Sequence, residues 1–153
     1  MIRLAELADK PRIVRLLQNS RGGAGFDSAE AASGFHFEFD PAYAERLFTT
    51  HLLRPDMLCL VLDVDGTAQG VLMAVAAEHP FGPVRLASET VWWIEPEFRG
   101  LSAVKMLLAY EDWAREQDCD YSGMAGMGAS PQVAHLYMRR GYRAAEVHFL
   151  KAL

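Results

Sequence analysis

Two apolar, β-prone runs, Met57 to Val64 and Thr67 to Ala77, stand on either side of the dipeptide Asp65-Gly66. Two residues that tolerate positive φ between such runs specify a tight antiparallel hairpin. Gly82-Pro83 then turns the chain again into Val84 to Ile94, which stops at Pro96. The centre of the molecule is therefore predicted to be a three-stranded antiparallel meander.

The flanking segments read differently. Met1 to Leu4 is a short strand; Asp9 is a candidate N-cap, Pro11 suits a first helical turn, and Ile13, Leu16 and Leu17 recur at helical spacing. Ser20 to Gly34 holds four glycines among small and polar residues and is expected to be a loop. Phe35, Phe37 and Phe39 then alternate, and Asp40-Pro41 opens a second helix with Ala44, Leu47 and Phe48 on its apolar face. After the meander, Leu101 to Gln117 is a helix with Ala103, Met106, Leu107, Tyr110, Trp113 and Ala114 on one broad face. Asp120 to Met127 is a weak strand, Pro131 to Arg140 a helix stopped by Gly141, and Tyr142 to Leu150 a last strand. The order β-α-α-β-β-β-α-β-α-β, without internal repeat or linker, is read as one domain over residues 1–153.

Composition narrows the function. A chain of 153 residues buries enough surface to fold without a metal or disulfide, and no apolar run reaches the roughly 20 residues that span a bilayer. No secretory signal opens the sequence, so it is expected in the cytoplasm, with no membrane partner. A net charge of −5 argues against a nucleic-acid partner and leans toward a cationic one. Cys59 and Cys119 lie in unrelated apolar segments and read as structural thiols. His36, His51, His79, His135 and His148 give no pair with i, i+4 spacing, so no metal is expected.

The stretch Ile94-Glu95-Pro96-Glu97-Phe98-Arg99-Gly100-Leu101-Ser102-Ala103-Val104 runs from a strand through a tight loop straight into a helix. The first N–H groups of a helix lack intrahelical partners and sit at the positive end of its dipole, so such a junction can hold a pyrophosphate. Downstream comes Ala134-His135-Leu136-Tyr137-Met138-Arg139-Arg140-Gly141-Tyr142. Together the two stretches resemble the GCN5-related N-acetyltransferase (GNAT) family, with Ile94-Glu95-Pro96 in place of its strand-ending Val-x-Pro step, Arg99-Gly100 opening its glycine-rich loop, and Tyr137 with Gly141-Tyr142 at its helix end. The order of elements fits along the whole chain. Three positions depart: Ser102 and Val104 replace small loop residues, and Ser130 replaces an Asn.

The resemblance implies an α+β fold, with a mixed, mostly antiparallel sheet and helices on both faces. It implies acetyl-CoA as cosubstrate, held by backbone groups of Ile94, Arg99, Gly100, Leu101, Ser102, Ala103 and Val104 where two parallel strands part. It also implies Tyr137 as proton donor to the leaving thiolate. Glu89 is the candidate base, placed by the two-residue period on one face with Val91 and Trp93; Glu95, on the same face, is second choice. Phe35, Phe37 and Glu38, with Phe26 and Asp40, are the candidate acceptor contacts, together with the region of Glu78 and His79. The expected reaction moves acetyl directly to a primary amine, small molecule or peptide; homodimer formation is left open. The alternative is a binding or regulatory module on the same fold with weak or no catalysis, motivated by Ser102 and Val104.

Blander readings cover the rest. Trp92 and Trp93 are expected to fill the two sides of the sheet, His51 to be a partly buried histidine with one hydrogen bond, and Arg139 and Arg140 to form a solvated face. Gly123 to Gly128 suggests dinucleotide binding, but a G-x-G-x-x-G begun at Gly126 would need glycine where Pro131 stands.

Overall fold

The computed structural model describes residues 1–28, 30, 34–126, 131–146 and 148–153. Its elements are β1 (Ile2–Leu4), a 3-10 turn (Leu7–Asp9), α1 (Lys10–Gly23), α2 (Pro41–Leu53), β2 (Met57–Val64), β3 (Thr67–Glu78) and β4 (Arg85–Ile94). A second 3-10 turn (Pro96–Phe98), α3 (Leu101–Glu116), β5 (Tyr121–Gly123) and α4 (Pro131–Arg139) complete them. Ser130 and the Met127-Gly128 end of the glycine-rich stretch fall outside the described residues.

The strands form one sheet in the order β1-β2-β3-β4-β5, antiparallel except for β4 with β5. The hairpin turns where expected: Asp65 and Gly66 take φ of 51° and 79°, and the Asp63 carboxylate accepts the Gly66 N–H at 2.9 Å. Residue alternation sends one side chain set to each face. Leu58, Leu60, Leu72, Ala74, Ala87 and Ile94 pack against Met106, Leu107, Tyr110 and Trp113 of α3 and Tyr137 of α4. Cys59, Val61, Val71 and Met73 pack against Ile13, Leu16 and Leu17 of α1 and Ala44 and Phe48 of α2. Trp92 and Trp93 belong to opposite faces, as the sequence predicts.

The β3–β4 register slips once, between Met73 and Ala74: Met73 faces Val91 and Ala74 faces Glu89, so the ladder skips Thr90. A bulge of this kind breaks the two-residue period. Val91 and Trp93 pack on the α1–α2 side, whereas Glu89 sits opposite Ala74, a residue of the α3 side. The sequence placement of Glu89 on one face with Val91 and Trp93 is therefore corrected.

Other boundaries differ for physical reasons. Asp9 does not cap α1 with its side chain; its carboxylate accepts the Glu6 N–H at 2.8 Å and pairs with Arg3 at 2.8 Å, closing the turn before the helix. Helix α1 runs on through Ser20 to Gly23, where a loop is expected, because Gly23 lies against the Trp93 indole: a Cβ there would sit 2.0 Å from a ring carbon. The weak strand expected over Asp120 to Met127 is shorter, forming β5 only over Tyr121–Gly123. No strand forms among the described residues of the segment 142–150. The neighbouring β5 is only three residues long, and Tyr142 reaches it through its hydroxyl, 3.0 Å from Ser122 Oγ, rather than through backbone pairing. No helix is long and apolar enough to cross a membrane among the described residues.

Candidate active site

Strands β4 and β5 pair only from Leu86↔Tyr121 to Ser88↔Gly123. Beyond that point β4 continues to Ile94 while β5 has ended, so the parallel ladder stops beside Glu89. Two residues past the end of β5 lies Ala125. Its N–H donates to Glu89 Oε2 at 3.1 Å, and its carbonyl accepts from the Tyr137 hydroxyl at 3.1 Å. Two residues 48 positions apart in the chain are thus brought to the backbone of one residue. Below it, Tyr110 donates to the Gly123 carbonyl at 2.9 Å and holds the end of β5.

Burial dominates the electrostatics here. It raises the Glu89 carboxyl to about 7, against the opposing Ala125 N–H, so the group is divided between its two forms at neutral pH. Burial also pushes Tyr137 and Tyr110 up, and the Glu89 charge adds to both shifts, so both hydroxyls keep their protons. Tyr137 is buried, with its ring 6.1 Å from Trp92 and 5.8 Å from Tyr142.

Glu95 is differently placed. Its Oε1 accepts from Arg12 at 3.0 Å and Asn19 at 2.8 Å, and its Oε2 from Trp93 Nε1 at 3.1 Å. It is committed to α1 on the other side of the sheet from Glu89, which corrects its placement as an alternative base on the same face.

At the far end of β4 the loop closes through the Pro96–Phe98 turn into Gly100, with φ 85° and ψ −122°, and α3 begins at Leu101. A Cβ added at Gly100 would meet nothing within 4 Å, so glycine is required there for its backbone conformation and the space beside it is open. Leu101 is exposed, Ser102, Ala103 and Val104 are half-buried, and Ala103 packs on the α3-side core. Arg99 turns back along β4. Its Nε donates to the Ile94 carbonyl at 2.9 Å, and its guanidinium stacks 4.7 Å over Trp93. An open glycine step at the N-terminus of a 16-residue helix suits a pyrophosphate.

The candidate acceptor residues lie in the segment between α1 and α2. Phe37 stacks on Phe26 at 4.8 Å between centroids, and its N–H donates to the Phe26 carbonyl at 3.1 Å. Arg21 holds the Phe37 carbonyl at 2.6 Å. Glu38 is exposed and Phe35 half-buried. Asp40 caps α2, accepting the Tyr43 N–H at 3.1 Å. Glu78 ends β3, paired with Arg85, and His79 begins the turn to β4, where its ring accepts the Phe81 N–H at 3.2 Å.

Sequence reasoning missed several contacts. Ala125 has no side-chain chemistry and could not be singled out. Glu111 could have been: it lies four residues after Leu107 on the buried face of α3, and it is the partner of Arg140 at 2.9 Å. Arg140 is therefore ion-paired and not merely solvated. His51 makes two hydrogen bonds rather than one. Burial pushes the Cys59 thiol up to about 12, which keeps it inert.

Residues 27–142 match the model of the acetyltransferase (GNAT) family. No curated protein sequence matches the chain significantly. Among solved structures, the chain is similar to a predicted acetyltransferase with acetyl-CoA from Clostridium acetobutylicum (16% identity, TM-score 0.77, covering 100% of this chain and 95% of that one). It is also similar to a ribosomal-protein-alanine N-acetyltransferase from Brucella melitensis (18%, 0.72, 100% and 99%) and to an aminoglycoside 6'-N-acetyltransferase from Acinetobacter haemolyticus (17%, 0.72, 100% and 99%). At these identities the likeness shows the shared fold.

Proposed function

The chain belongs to the GNAT acetyltransferase family, and from that premise we propose that it moves an acetyl group from acetyl-CoA directly to a primary amine. The observation that carries this reading is the meeting of Glu89 and Tyr137 on Ala125, just past the end of the β4–β5 ladder.

Acetyl-CoA would supply the activated acyl group. Backbone groups of Ile94 and of Arg99 to Val104 would hold it, with the first turn of α3 facing its phosphates. An amine reaches neutral pH as an ammonium and must lose a proton before it can attack. A carboxylate with its pKa near 7 is matched to that task, so Glu89 accepts this proton. The nitrogen forms its bond to the acyl carbon and loses its second surplus proton to solvent, the carbon–sulfur bond breaks, and the Tyr137 hydroxyl donates its proton to the leaving sulfur. Tyr137 is reprotonated as Glu89 gives up its proton, which returns both groups to their starting forms.

The acceptor reading rests on the segment between α1 and α2. Residues 24–40 carry Asp27, Glu30, Glu38 and Asp40 and neither Lys nor Arg, beside the stacked Phe26 and Phe37. Negative charge next to an aromatic wall suits a cationic amine with an apolar part. The named activities of similar folds suggest the panel to try: an aminoglycoside and a peptide with N-terminal alanine, with spermidine as a polyamine. Transfer is read as thiol release from acetyl-CoA, with the acetylated product weighed by mass spectrometry. With the best acceptor, Glu38→Gln is expected to raise KM several-fold and leave kcat unchanged. Product formation that is as fast in Glu89→Gln as in the wild type, from pH 6 to 9, would remove the base from this account.

A further inference from the structure

Thr90, the residue that the β3–β4 ladder skips, is where α2 touches the bulge. His51 of α2 is buried, 4% exposed, with Nδ1 2.9 Å from the Leu47 carbonyl oxygen and Nε2 3.0 Å from Thr90 Oγ1. A carbonyl only accepts, so Nδ1 carries the proton. Burial, with Arg54 assisting, holds His51 below its usual pKa, and the ring stays neutral. Its Nε2 is then an acceptor, and the Thr90 hydroxyl is the donor.

This bond is specific to one register. A one-residue bulge can shift along a strand, and each one-residue shift carries a side chain to the other face. Were the extra residue Glu89 instead of Thr90, the carboxylate would leave the α3 side and the Ala125 N–H. Thr90 has no ladder partner to hold it, but its hydroxyl is tied to a ring whose other nitrogen is itself fixed.

We propose that His51 and Thr90 are positioning residues for Glu89: by tying the bulged residue to α2, their hydrogen bond fixes Glu89 on the opposite side of the sheet, against Ala125. The inference rests on the reading of Glu89 as the base. The groups that bear on Glu89 are Tyr110 from α3, Tyr137 from α4 and the Ala125 N–H, with His51 on the far face of the strand.

The test needs no acceptor. The full chain is labelled with 13C at the glutamate carboxyl carbon, the Glu89 signal is assigned by its loss in Glu89→Gln, and it is titrated in the wild type, Thr90→Val and Thr90→Ser. Thr90 is exposed, so both variants keep the packed core. Thr90→Val removes only the donor and is expected to lower the Glu89 midpoint by about one pH unit, as the loosened carboxylate regains water. Thr90→Ser, which keeps the hydroxyl, is expected to titrate as the wild type does. An unchanged midpoint in Thr90→Val overturns the proposal, even where that variant melts at a lower temperature, since a merely structural hydrogen bond would do the same. The transfer rate of Glu89→Gln judges the base reading separately, so either idea can fail alone.

Discussion

Replacing Glu89 with Gln should change how stability depends on pH, independently of catalysis. The carboxyl titrates near 7 in the folded chain, against 4.5 as its ordinary value, so between those two pH values the folded state binds the extra proton. Stability must then fall as pH rises through that window, and level off above about 7. At 1.36 kcal/mol per pH unit the shift sets a ceiling of about 3 kcal/mol. Glu89 is partly buried and keeps some water, which brings the expected loss to about 2 kcal/mol. Gln has no charge to bury, and its amide oxygen can still accept the Ala125 N–H. Urea unfolding at pH 5 and pH 8, on both proteins, gives the difference between them, and other titrating groups cancel. The stability of Glu89→Gln relative to wild type should be greater at pH 8 than at pH 5 by about 2 kcal/mol. Two parallel profiles would refute the reasoning and return Glu89 to the ordinary carboxylates.

Tyr137→Phe deletes one hydroxyl and keeps the ring between Trp92 and Tyr142; it should lower kcat by about 10- to 10³-fold with acetyl-CoA affinity nearly unchanged, whereas activity within about twofold and a lower melting temperature would make Tyr137 a core residue only. Gly23→Ala should destabilise the fold by about 1–3 kcal/mol in urea unfolding, because its methyl meets Trp93 and one of the two must move. Gly100→Ala meets no atom but has to hold φ at 85°, so it should cost about 1 kcal/mol in the same assay and weaken acetyl-CoA binding in calorimetry.

How much of this the sequence carried depended on how local each cause was. The meander was legible because Asp65-Gly66 and the alternation of β2 and β3 are local signals, and the loop into α3 because Gly100 and the helical spacing after it are too. The bulge at Thr90 was not, since it is set by the pairing of β4 with β3 and by His51, 39 residues earlier in the chain. A strict two-residue period therefore put Glu89 on the wrong face. Gly22 and Gly23 argued for a loop by propensity, and the packing of Gly23 against Trp93 overrode it. The segment 142–150 has a strand-like pattern, but a strand also needs an edge to pair with, and nothing in its own residues reports that β5 stops after three. Of the two candidate catalytic residues, Tyr137 is named through the family resemblance and Glu89 from its type and its place on the strand. What joins them, the N–H and carbonyl of Ala125, is backbone and leaves no signature in sequence.

The account stands or falls on acetyl-CoA. Isothermal titration of the purified full chain with acetyl-CoA should give one site per chain with a micromolar dissociation constant, despite Ser102 and Val104 in the loop. Millimolar or absent binding would contradict the account and leave the binding-module reading of the same fold.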